Sequence, residues 1–317
     1  MIRAGRDWRQ RFTERIGCRV SCDEEMSRHT TLGVGGSVSL MAWLAGEDAL
    51  VQARHFLDAE KVESRVLGKG SNILVSDNGY EGAVLRLSGG LARASIMSAN
   101  SRNMEVQAGG GLALQKFLAW AAREGAGGLD GLVGIPGTVG GAIKLNAGTR
   151  WGTISDRLIE VRLLEAGRPH WVSASRLGFG YRTSAIGRRR VVIAARLRLP
   201  RQAPEQVRRA YEKSRRLRRG QPLGARSAGS FFLNPGAESA GRLIESAGCK
   251  GEREGGALVS ERHANFIVNS GHATASDIIK LSRRVARRVF QSSGIKLERE
   301  VELWGRFRPK RRSGRSA

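Results

Sequence analysis

Between Gly46 and Glu60 the apolar positions Leu50, Ala53 and Leu57 recur at helical spacing behind Glu47 and Asp48, which predicts an amphipathic helix with acids in its first turn. Leu112–Glu124 repeats the pattern, with Leu114, Phe117, Leu118 and Ala121 on one side and Gly125 as its stop. From about Thr274 to Ser293 a longer stripe runs through Ile278, Leu281, Val285 and Val289. Thr274 and Asp277 are placed as a capping box, and Gly294 ends the run. Pro204 opens a strongly basic helix that runs to Gly220. Short apolar runs at Arg65–Leu67, Ala83–Leu87, Met104–Ala108, Leu158–Leu164, Val191–Leu199 and 264–268 read as strands. Helices and strands alternate irregularly, so the expected class is α+β with mixed sheets. No glycine fingerprint opens a helix in the Rossmann manner.

Two stretches interrupt this patterning. Residues 134–148, GIPGTVGGAIKLNAG, place glycine at 134, 137, 140, 141 and 148. Each ordered glycine costs roughly 0.5–1 kcal/mol of extra backbone entropy, so such density marks backbone that must approach something closely. Ile135, Val139, Ile143 and Leu145 supply regular apolar anchors, which a flexible linker lacks. Residues 68–82, GKGSNILVSDNGYEG, read as a second glycine-bearing loop between two strands. Both offer backbone N–H groups and neutral side chains (Ser71, Asn72, Thr138), which suits a bound pyrophosphate.

Composition narrows the function classes. The formal net charge of +25 invites a nucleic-acid reading, but the basic residues crowd 208–219, 283–288 and the tail after 306, with no nucleic-acid-binding motif beside them. No apolar run approaches the ~20 residues that span a bilayer, and the first residues lack the apolar core of a secretory signal. Cys18, Cys22 and Cys249 have no partners at metal spacing, so reduced thiols, no metal and a cytoplasmic location are expected.

The two loops together, GKGSNILVSD and GLVGIPGTVGGAIKLNAG, resemble the flavin-binding half of the UDP-N-acetylenolpyruvoylglucosamine reductase (MurB) family. That half has the fold of vanillyl-alcohol-oxidase (VAO) and other PCMH-type flavoproteins. The resemblance continues through HTTLGVGG (29–36), GYRTS (180–184), SAGSFFLNP (227–235), GRLIE (241–245), HANF (263–266) and LEREVE (297–302). The short interval between Tyr181 and Ser230 is similar to the type II branch. Lys69 and Leu233 depart from the family pattern, as do Asp130 and Trp151.

The resemblance implies a PCMH/VAO-like FAD-binding domain in two parts over 27–200 and a C-terminal α+β substrate-binding domain over 201–305. A basic extension (1–26) and a disordered basic tail (306–317) flank them. It implies non-covalent FAD held by Gly68, Lys69, Gly70, Ser71, Asn72, Ile73 and Leu74 in the first stretch. In the second the cofactor residues are Gly134, Ile135, Pro136, Gly137, Thr138, Gly140, Gly141, Ala142, Asn146 and Gly148. The implied reaction is NADPH-dependent reduction of UDP-N-acetylglucosamine enolpyruvate in peptidoglycan precursor synthesis.

In that reaction Arg182 holds the substrate carboxylate, Ser230 donates a proton, and Glu300 stabilises the developing enolate with a pKa that burial is expected to raise. Tyr181, Arg219, Arg226, Asn234, His263 and Asn265 fall at substrate-side positions, with Gln221 beside Arg219. By its own pattern His263 is as readily a structural histidine in an apolar strand. A monomer is expected, with no specific nucleic-acid partner and no membrane insertion. Two other readings stand beside this one: a PCMH-type oxidase of a small alcohol or sugar, and a non-catalytic basic nucleic-acid-binding protein.

Overall fold

The computed structural model describes residues 7–222 and 224–307. The tail expected to be disordered lies outside these from residue 308 onward. The chain forms two compact units. Among the described residues one comprises 7–24, 39–71, 82–222 and 224–225; the other comprises 25–38, 72–81 and 226–307.

The first unit is built on two sheets. In one the strand order is Arg19–Glu25, Ser37–Leu44, Tyr80–Leu87, Ser64–Val66, and the last pair is parallel. The other has five antiparallel strands in the order Arg168–Ser173, Leu158–Glu165, Val191–Pro200, Asn103–Gly109, Ala94–Ala99. Its central strand explains its own sequence. Val191 and Ile193 face one core while Val192, Ala195, Leu197 and Leu199 face another, so VVIAA reads as an unbroken apolar run rather than an alternating one.

The N-terminal stretch that charge alone set apart is part of this unit. Asp7–Ile16 is a helix whose Trp8, Phe12 and Ile16, spaced four apart, are buried, with Phe12 edge-on to Phe56 at 5.5 Å. At the other end, the basic helix spans Pro204–Leu217 and clusters with the first unit, Val207 being buried. The division between the units therefore falls after Ala225 rather than at residue 200.

The second unit packs one long helix on a four-stranded antiparallel sheet, ordered Ser227–Ser230, Phe266–Asn269, Ala257–Val259, Arg253–Glu254. A parallel pair, Ile73–Val75 with Glu302–Trp304, completes it. Ile73, Leu74 and Val75 are buried, so this part of the stretch read as a loop is a core strand. The helix Ala275–Ser293 buries Ile278, Leu281, Val285 and Val289, and Gly294 ends it at φ +72°.

The first-turn N–H groups of that helix have no intrahelical acceptors and are met from outside. Thr274 Oγ1 accepts from Asp277 N at 3.0 Å. The Asp77 carboxylate accepts from Ala275 N at 2.7 Å, Ser276 N at 2.9 Å and Ser276 Oγ at 2.7 Å. A carboxylate there also complements the helix dipole. Thr274→Ala is expected to lower unfolding stability by about 1 kcal/mol and Asp77→Ala by about 2 kcal/mol, read as paired shifts in urea midpoint.

Candidate active site

Within the first unit the two glycine stretches meet. A Cβ on Gly68 would lie 2.8 Å from Thr138 Oγ1 and 3.2 Å from its Cγ2, so this approach needs glycine. On the other side, the position of a Gly137 Cβ lies 3.5 Å from Ser71 Oγ. The stretch 134–148 is not one loop: Val139–Lys144 is a short helix, and Thr138 caps it by accepting from Gly141 N at 3.3 Å. Val139 and Ile143 are fully buried, and the Val139 and Gly140 amides donate to Leu112 O and Gly110 O, both at 2.9 Å.

These bonds sort the glycines. Gly140 is required by Gly110, whose carbonyl would sit 2.9 Å from an added Cβ. Gly148 is required in the same way by Gly152, at 2.4 Å. Gly137 and Gly141 instead meet only ordinary contacts on the Cβ side, although Gly137 is required by its backbone, at φ +132°. A surface formed by Gly68–Ser71 with Gly137, Thr138 and Gly141 holds one cation, Lys69, and no acid. Neutral donors and glycine on that surface fit the pyrophosphate of FAD. Ile135 packs partly on the core and Pro136 is exposed. Ala142 is buried, and the Gly134 N–H is directed to Gln115 Oε1 at 3.3 Å. Asn72, Ile73 and Leu74 cluster with the second unit.

Arg182 belongs to the first unit. It sits at φ +54° in the turn 180–183, closed by Gly180 N to Thr183 O at 3.1 Å. Tyr181, beside it, is exposed. The basic run before the second unit contributes a residue that the sequence did not single out. Arg218 is half-buried and donates from Nη1 to Val133 O at 2.6 Å, and from Nε and Nη2 to Gln221 Oε1 at 3.0 and 2.8 Å. Burial, and then the neighbouring Arg182 guanidinium, hold its pKa below the usual arginine value. The positive charges of Arg182 and Arg218 thus act on one another. Arg219 is exposed.

Ser230 and Glu300 belong to the second unit, which brings their segments together. Glu300 N donates to Phe231 O at 3.0 Å, Leu233 N donates to Glu298 O at 2.8 Å, and Phe232 bridges Arg299. The Glu300 carbonyl accepts from Asn72 Nδ2 at 3.1 Å, so a residue expected to hold cofactor also fixes this acid's backbone. Ser230 ends a strand that carries one extra residue against its partner: Ser227 faces Val268 and Ser230 faces Phe266, with Gly229 at φ +77°. A bulge of this kind re-aims the side chain that follows it.

The expected substrate residues divide. Asn265 is 3% exposed, and its side-chain amide exchanges hydrogen bonds with the backbone of Phe232, at 2.9 Å to N and 2.8 Å to O. Its side chain is thus a brace behind the Ser230 strand and not a group presented to substrate. His263 is half-buried, edge-on to Phe266 at 4.9 Å, and burial first of all lowers its pKa, which keeps the ring neutral. Asn234 accepts from Ala240 N at 3.0 Å through Oδ1 and is exposed. Arg226 is exposed, with Cδ 3.4 Å from the position of a Gly33 Cβ. Cys18, Cys22 and Cys249 are free thiols, and among the described residues no cluster of His, Cys, Asp and Glu is placed to hold a metal.

Residues 29–172 match the FAD binding domain family, and residues 221–304 match the family described as UDP-N-acetylenolpyruvoylglucosamine reductase, C-terminal domain. The chain is 38% identical over 288 residues to UDP-N-acetylenolpyruvoylglucosamine reductase of Anoxybacillus flavithermus, covering 90% of this chain and 94% of that protein. It is 41% identical over 277 residues to the Thermus thermophilus reductase, covering 87% and 96%. The crystal structure of the Thermus caldophilus reductase superposes with a TM-score of 0.77 at 38% identity, covering 91% of this chain and 99% of that one. With both family matches in order along the chain and relatives aligned over nearly their whole lengths, the chain belongs to the UDP-N-acetylenolpyruvoylglucosamine reductase family.

Proposed function

We propose that the chain reduces UDP-N-acetylglucosamine enolpyruvate to UDP-N-acetylmuramate at the expense of NADPH, as a cytoplasmic enzyme of peptidoglycan precursor synthesis. FAD, when bound, carries the hydride from the nicotinamide to the enolpyruvyl group. The observation that carries the reading is the braced Ser230 strand. A glycine bulge aims the serine, Asn265 locks Phe232 behind it, and Glu300 is bonded to Phe231.

An enol ether is electron-rich, so a hydride is accepted at its methylene carbon only if the negative charge that develops on the neighbouring carbon and its carboxylate is stabilised. Arg182 supplies a permanent cation with a planar fork matched to that carboxylate, and Arg218 deepens the positive potential around it. Glu300 acts as a neutral acid, because an ionised carboxylate would repel an enolate. The Ser230 hydroxyl delivers the proton to the carbanionic carbon; a weak acid suffices against so basic an acceptor. Tyr181, Arg219, Arg226 and Asn234, all exposed, are the side chains proposed for the UDP-sugar. Among the described residues no helix is long and apolar enough to cross a membrane.

The purified protein is expected to be yellow, to bleach with NADPH under anaerobic conditions, and to recolour with UDP-N-acetylglucosamine enolpyruvate. Ser230→Ala should leave bleaching intact and slow recolouring by about 10²-fold or more, measured by stopped-flow absorbance. Equal loss in both half-reactions would make Ser230 structural. Gly68→Ala pushes Thr138 off its cap and should weaken FAD retention about 10-fold, read as flavin released on dilution, while Gly46→Ala, in open space, should not.

A further inference from the structure

Arg182 occupies the left-handed backbone region, where a non-glycine residue is held only if its surroundings impose it. What imposes it is the end of the flavin stretch. Asn146 Nδ2 donates to Gly180 O at 3.0 Å, and Ser184 Oγ donates to Lys144 O at 2.7 Å. The two bonds bracket Arg182 and tie both ends of its turn to residues 144–146. Each tie is itself fixed. Asn146 is 7% exposed, and its Oδ1 accepts from Ser155 N at 3.4 Å, so both ends of its amide are engaged. Lys144 O lies at the open end of the helix Val139–Lys144, where carbonyls lack intrahelical donors, and Ser184 Oγ also accepts from Ile186 N at 3.3 Å.

We propose that Asn146 and Ser184 are positioning residues for Arg182, suspending its turn from the far end of the flavin-holding helix, and that the Asn146 side chain serves this purpose instead of binding cofactor. The arrangement links two tasks in one unit. The helix whose N-terminal side meets Gly68 through Thr138 sets, at its other end, where the carboxylate-binding guanidinium points. The proposal rests on the reading of Arg182 as the carboxylate-binding cation. A misplacement of about 1 Å in such a group is enough to cost up to about 10²-fold in rate.

The test uses the full-length, FAD-loaded protein and follows bleaching by NADPH and recolouring by UDP-N-acetylglucosamine enolpyruvate separately. Asn146→Asp keeps the shape and tolerates the left-handed backbone of residue 146, φ +42°, but replaces the donor facing Gly180 O with an acceptor. Flavin content and bleaching rate should stay within about twofold, while recolouring slows about 10- to 100-fold. Ser184→Ala should act in the same direction to a smaller degree, and it carries the test if Asn146→Asp does not fold. If both act through Arg182, adding Asn146→Asp to Arg182→Lys should slow recolouring by less than about twofold beyond Arg182→Lys alone. Loss of flavin, parallel loss of both half-reactions, full activity in both single variants, or multiplicative slowing in the double variant would each overturn the proposal. An unchanged recolouring rate in Arg182→Lys would instead overturn the assignment of Arg182 itself.

Discussion

The burial of Val139 and Ile143 turns a glycine-rich stretch into a rigid element, and the site in the first unit depends on it. A six-residue helix would not persist alone, since helix nucleation is costly and short helices are marginal in water. Here two apolar side chains anchor it in the core, two amides bond to Gly110 and Leu112, and Thr138 closes its first turn. Once fixed, it positions its neighbours from both ends. Thr138 meets Gly68, Asn146 and Lys144 hold the Arg182 turn, and the Val133 carbonyl just upstream holds Arg218.

The same division of labour explains why glycine is needed at more than one kind of place. At Gly140 and Gly148 the reason is backbone packed on backbone. Gly68 is needed because the stretch carrying it must touch Thr138. Gly137 is needed for its own backbone, at φ +132°, while Gly141 meets only an ordinary contact, with Thr138 Oγ1 at 3.6 Å. A glycine-dense motif is therefore a record of two constraints superposed, and the sequence shows their sum.

Much of this is legible in the amino-acid sequence alone. The helices over 47–59, 114–124 and 275–293 follow from local periodicity and caps, which are properties of neighbouring residues. The strand at Ile73–Val75 does not announce itself, because its partner, Glu302–Trp304, lies far along the chain and a parallel pairing leaves no local turn signal. Arg218 escapes notice for a related reason. Arg215, Arg216, Arg218 and Arg219 are alike as letters, and only the half-burial of Arg218 against Val133 and Gln221 distinguishes it. In the opposite direction, Asn265 and Asn146 resemble ligand-binding amides in a motif, yet each spends its side chain on backbone that carries a functional residue.

That last pattern bears on how the unusual charge is used. Many arginines are matched by acids: Arg162 with Glu47, Arg190 with Glu165, Arg196 with Glu160 and Arg198 with Glu105 form ion pairs on or beside the five-stranded sheet. Solvent-accessible pairs of this sort add little stability. Arg218 differs, since burial, and after it the charge of Arg182, hold its pKa down. Like charges brought near one another are unfavourable, and the partners printed for Arg218 are neutral: the Val133 carbonyl and the Gln221 amide oxygen. Had Asp or Glu held Arg218 in place, its positive charge would have been offset. Neutral bracing of Arg218 keeps its position fixed without offsetting its charge, which is the electrostatic condition that the proposed reduction of an enolpyruvyl ether would impose.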